Sequence, residues 1–96
     1  MTAEPELVTV SVAIEKLDRR GPISNWGDET RLWLSFNPVE KTIGIAGNRD
    51  ALMSLARHCL TLAQDGAVPG SSLYWEPESA WFETNEAGLP LSLASD

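Results

Sequence analysis

Hydrophobic and polar positions change period along the chain. Over residues 7–14 they alternate, with Val8, Val10, Val12 and Ile14 on one side and Leu7, Thr9, Ser11 and Ala13 on the other. A period of two in a β-branched run predicts a strand. Alternation returns at 31–36, where Leu32, Leu34 and Phe36 oppose Trp33, and at 41–46, where Ile43 and Ile45 share a face. Asn37-Pro38-Val39-Glu40 lies between them and suits a type I turn, so residues 31–46 read as a β-hairpin. Gly44 inside the second strand predicts a close approach, with the Trp33 ring as the candidate neighbour.

Over 48–65 the period becomes helical. Leu52, Leu55, Ala56, Cys59, Leu62 and Ala63 recur at the spacings of a single helical stripe. Arg49, Asp50, Arg57, His58 and Gln64 lie off it, which sends His58 to the solvated side and Cys59 to the core. Asn48 suits the N-cap, Asp50 complements the helix dipole and Gly66 supplies the stop. Burying Leu52, Leu55 and Leu62 on a sheet is worth about 5–9 kcal/mol before entropy. Beyond the helix, residues 72–76 (Leu73 and Trp75 against Tyr74) and the alternating Leu89, Leu91 and Leu93 predict two more strands. Pro77 ends the first, and Pro90 confines the second to an edge or a strand start. Residues 15–30 and 78–88 carry no period, and turn formers crowd the second half of the first stretch.

These elements predict an α+β fold: an antiparallel sheet of four to five strands with one long helix packed on one face, in the order β-β-β-α-β-β. Residues 1–6 read as a flexible acidic tail and 7–96 as a single α+β domain.

Composition sharpens this picture. The chain has 96 residues, 43% of them hydrophobic, enough for one modest core. No apolar run approaches the roughly 20 residues a bilayer requires, and residues 1–6 lack the basic start of a signal peptide. A single cysteine forbids an intramolecular disulfide and fits a cytoplasmic location. The net charge of −7 is uneven: residues 1–57 carry eight acids and seven bases, while 58–96 carry six acids and no Lys or Arg. Nucleic acid and membrane are therefore poor partners, and a basic protein is a better one. The plain alternative is an acidic surface that only keeps the chain soluble.

Catalytic equipment is thin. His58 and Cys59 are neighbours that diverge by about 100° on a helix, so they cannot act on each other. One His and one Cys cannot close a zinc site, and Gly44 to Gly47 lacks the spacing and lysine of a phosphate loop. Nothing separates the pKa values of Glu76 and Glu78 into an acid and a base. The chain reads as no enzyme, with no cofactor and no metal. The candidate partner-binding residues are Tyr74, Glu76, Glu78, Trp81, Phe82, Glu83 and Glu86, where rings supply contact area and carboxylates steer a basic partner. Trp26, Asp28 and Glu29 of the 15–30 loop join them. For Trp26, and for Trp81 with Phe82, contact with a partner and packing on the core both stand.

Thr42-Ile43-Gly44-Ile45-Ala46-Gly47-Asn48 leads into Leu52, Leu55-Ala56 and Leu62-Ala63; Pro69-Gly70 then precedes Leu73-Tyr74-Trp75, an acidic turn, and Leu89, Leu91 and Leu93. Over residues 42–93 this order resembles the bacterial immunity proteins of polymorphic toxin systems, group thirty-two. The resemblance implies a cytoplasmic, non-enzymatic antitoxin that binds a cognate toxin domain and blocks its active site. A nuclease-type toxin, with a basic site, suits an acidic inhibitor, and nuclease–immunity pairs are among the tightest protein complexes. Two other readings are a self-associating structural or regulatory subunit and a small-ligand-binding module using the cleft beside the 15–30 loop. A monomer or weak homodimer is expected.

Overall fold

The computed structural model describes residues 4–17, 21–79, 82–85 and 88–96, with the backbone alone at 83–85. The hairpin forms where the pattern places it. Strand β1 (Leu32–Asn37) pairs antiparallel with β2 (Thr42–Gly47), from Leu32 opposite Gly47 to Asn37 opposite Thr42. Asn37 builds the turn: its side-chain oxygen accepts the N–H groups of Val39 at 3.0 Å and Glu40 at 3.1 Å. A β-carbon at Gly44 would meet the Ser35 hydroxyl directly across the ladder, which would have to turn aside. The close neighbour is thus Ser35, not Trp33.

Helix α1 (Arg49–Leu62) follows β2 directly. Asn48 caps it: Oδ1 accepts from Ala51 N–H at 2.9 Å and from Arg31 N–H at 3.2 Å, while the amide donates to the Glu29 carbonyl at 2.7 Å. One side chain therefore ties the helix start, the entry to β1 and the preceding loop. Asn48→Ala should cost about 1–2 kcal/mol in urea unfolding, at the upper end for a cap because three backbone groups lose their partner together.

The helix turns a different face inward than its leucines suggest. Its buried residues are Ala51, Ser54, His58, Thr61 and Leu62, with Leu55 half-buried. This is the expected spacing moved one residue toward the N-terminus, which rotates the stripe by about 100°. Leu52 is 48% exposed, Ala56, Cys59 and Ala63 are exposed, and His58 is only 2% exposed, so the placements of Cys59 and His58 are reversed. What covers this face explains the difference. It is met by the loop around residues 25–27, whose backbone N–H groups need acceptors. Gly27 N–H donates to Ser54 Oγ at 3.1 Å and Asn25 N–H to His58 Nε2 at 2.8 Å. A helix that meets a loop needs polar groups where one that meets a sheet needs leucines.

The single antiparallel sheet does not form either. A three-stranded sheet has the order β2-β1-β4, and a two-stranded sheet joins β3 (Ser72–Trp75) to β5 (Leu91–Ala94). Strand β4 (Phe82–Asn85), inside a stretch that carries no period, runs parallel to β1, with Leu32 opposite Phe82. The observed order is β-β-α-β-β-β. Residues 7–14 are in no strand. The alternation there finds no ladder partner in either sheet. The Gln64 amide instead grips the chain just beyond, donating to the Glu15 carbonyl and accepting the Leu17 N–H at 3.4 Å. The main core gathers Leu62, Leu73 and Trp75 with Trp26, Phe82, Leu91 and Leu93, while Leu32, Leu34 and Ala51 are buried at the base of the hairpin.

Candidate functional site

Strand β3 alternates, and its two faces have different neighbours. Leu73 and Trp75 point into the core at 7% and 6% exposure, so Tyr74 between them must point out. Tyr74 is 56% exposed, and Glu76 and Glu78 are exposed just beyond the strand end. Partial desolvation raises the Tyr74 phenol above its ordinary pKa, and the charges of Glu76 and Glu78 add to it. The ring and both carboxylates thus form one outward-facing acidic patch, held in place by the buried anchors on either side of Tyr74.

The other candidate residues are distributed around this core. Trp26 is half-buried and packs inward: its ring centroid lies 4.7 Å from that of His58 and 5.2 Å from that of Trp75, edge-on to the latter. Trp75 Nε1 donates to Ser24 Oγ at 2.8 Å, fastening the loop from its other side. Phe82 is half-buried on the same core. Asp28 and Glu29 are exposed, and Glu29 N–H donates to Asp50 Oδ2 at 3.0 Å in the first turn of α1. Gly27 lets the loop come so near, since a β-carbon there would overlap the Asp50 carboxylate. Trp81, Glu86 and the Glu83 side chain lie outside the described residues.

Two features escape the sequence pattern. One is the polar cluster beneath the loop, where burial holds the His58 imidazole below its ordinary pKa, helped by the Arg57 charge. A cavity of about 250 Å³ adjoins it, lined by Ile14, Glu15, Ile23, Arg57 and Thr61 among others. Ser54, His58 and Thr61 at helical spacing were the available signal, outweighed by the leucines. The other is an uncovered apolar surface: Phe36 is 48%, Ile43 68% and Ile45 43% exposed. Among the described residues no three His, Cys, Asp or Glu side chains gather as a metal site.

A family model described as Immunity protein 32 matches residues 42–94, from β2 to the end of β5. No curated protein and no solved structure matches the chain.

Proposed function

The chain belongs to the Immunity protein 32 family, and from that premise we propose that it neutralises a cognate toxin domain by binding it through the surface of Tyr74, Glu76 and Glu78. The observation that carries this reading is the exposed Tyr74 ring with two exposed carboxylates just beyond it, at the end of a strand fixed by Leu73 and Trp75. An aromatic anchor with an acidic rim suits a basic protein surface: the ring contributes desolvated contact, and the carboxylates speed encounter and select charge. Glu83 and Glu86 follow in sequence, and Asp28 and Glu29 add exposed acids on the 15–30 loop. Inhibition is by occupation of the toxin's active site, not by chemistry of the inhibitor's own. A nuclease is the toxin class best matched, because a site built to hold phosphates attracts carboxylates as well. The free, exposed Cys59 supports a reducing compartment such as the cytoplasm.

The test is binding to a candidate cognate toxin domain, measured with purified proteins. Tyr74→Ala should weaken the complex by about tenfold or more. Glu76→Gln and Glu78→Gln should slow association several-fold at low ionic strength, with the difference shrinking as salt shortens the screening length to about 8 Å near physiological strength. Unchanged kinetics in all three variants would remove this patch from the interface.

A further inference from the structure

With Ser54, His58 and Thr61 turned inward, helix α1 leaves an apolar stripe facing out. Leu52 and Leu60 are 48% and 46% exposed, and Ala56, Cys59 and Ala63 are exposed with them. Leu52, Ala56, Cys59 and Ala63 stand four, three and four residues apart, the spacing by which two helices interlock along a seam. We propose that this stripe pairs antiparallel, across a two-fold axis, with the same stripe of a second copy of the chain. This goes beyond toxin binding and does not depend on it.

Size and charge argue for that occupant. An antiparallel pair centred on the stripe sets Leu52 against Ala63 and Ala56 against Cys59. The large side chain meets a small one at each end, and small meets small in the middle, so the two helices can approach closely. Arg49 continues the seam spacing to the start of the helix. It is exposed and forms no ion pair among the described residues. Asp50 beside it is turned about 100° around the helix to the loop, where its Oδ2 accepts the Glu29 N–H. In the antiparallel pair Arg49 passes beyond Ala63 of the second copy. There Asp65 is exposed, and Asp96 lines an open cleft of about 390 Å³ beside Cys59, Ala63 and Ala67. The helix dipoles run the same way, positive start against negative end. A parallel pair would instead set Arg49 against Arg49. The stripe itself holds no acid and its one charge is a base, so it suits the acidic end of its own copy and not a basic toxin. The same patch serves both partners, as a closed two-fold contact requires.

Light scattering of the full chain up to about 1 mM tests this, near physiological ionic strength, where repulsion between two copies of charge −7 is screened beyond about 8 Å. A dimer that grows with concentration is expected. Ala56→Lys should raise its dissociation constant by about tenfold or more, since it sets a charge inside the seam of both copies. Ala56 is exposed, so the helical circular dichroism should be retained. Direction is read by exchanging charges. Arg49→Glu and Asp65→Lys should each weaken the dimer several-fold, and a chain with both should regain most of the loss. Within one chain the two residues lie at opposite ends of a helix about 21 Å long, so only a second copy can bring the exchanged charges together. A monomer at every concentration overturns the proposal, and a loss of toxin affinity in Ala56→Lys would then assign the stripe to the toxin. A dimer that survives Ala56→Lys overturns it as well, as does a doubly exchanged chain that pairs no better than Arg49→Glu alone.

Discussion

Trp75→Ala should lower the unfolding free energy by about 3–5 kcal/mol, as expected for deleting a large buried ring. The indole is 6% exposed and stands among Leu62, Leu73, Leu91 and Leu93. It also meets the rings of Trp26 and His58, each at a centroid separation of 5.2 Å. Its N–H donates to Ser24 Oγ, so alanine removes both the packing and the fastening of the loop over α1. A domain of this size has about 5–15 kcal/mol in total, so the variant loses about a fifth of its stability or more. Urea unfolding monitored by far-ultraviolet circular dichroism checks this. The neighbouring Tyr74→Ala, on the solvent side, should stay within about 0.5 kcal/mol of the parent. Equal stabilities for the two variants would mean that β3 does not present alternate faces to core and water.

The same alternation shows what the amino-acid order could reveal and what it could not. Strands β1 and β2 were legible because the turn chemistry of Asn37 and Pro38 and the flanking alternation agree. The helix start was legible from Asn48, while its end was not, since α1 closes at Leu62 with Ala63 as the C-cap, ahead of Gly66; the exposure of Tyr74, Glu76 and Glu78 follows from their place relative to Leu73, Trp75 and Pro77. The inward face of the helix was not. Two stripes one residue apart share Leu55 and Leu62, and the choice between them depends on what covers the helix. Only the fold reveals that a loop with unmet N–H groups does so, which favours Ser54 and His58 over Leu52 and Cys59. Strand β4 was hidden for a related reason. It is four residues long and joins β1 in parallel through a distant connection, so no local period announces it. Residues 7–14 show the converse: a strong strand pattern with no ladder in the single chain.

Stability should also fall with acid earlier than the carboxylates alone dictate, and His58 is the reason. It is the only histidine, it is 2% exposed, and its Nε2 accepts the Asn25 N–H at 2.8 Å. Protonation at Nε2 would turn an acceptor into a donor facing a donor, in a site shielded from water. Desolvation accordingly holds the folded pKa below the ordinary 6.5, and the adjacent Arg57 charge acts in the same direction. A hydrogen bond to the Ser54 backbone acts the other way without reversing the sign, and Glu15 lines the neighbouring cavity. Above about pH 6.5 neither state binds the proton, and the contribution of His58 is fully present. As pH falls below that value the unfolded chain takes the proton first, so stability drops, at no more than about 1.4 kcal/mol per pH unit for one proton. The decline stops contributing once pH passes below the folded pKa. Urea unfolding at several pH values between about 5 and 7.5 should show this slope, above the range where ordinary Asp and Glu titrate. His58→Gln retains a side-chain oxygen for Asn25 but cannot titrate, so its profile should be flat over the same window. A parallel slope in the variant would assign the proton to another group and leave the loop clasp at His58 without a role in acid sensitivity.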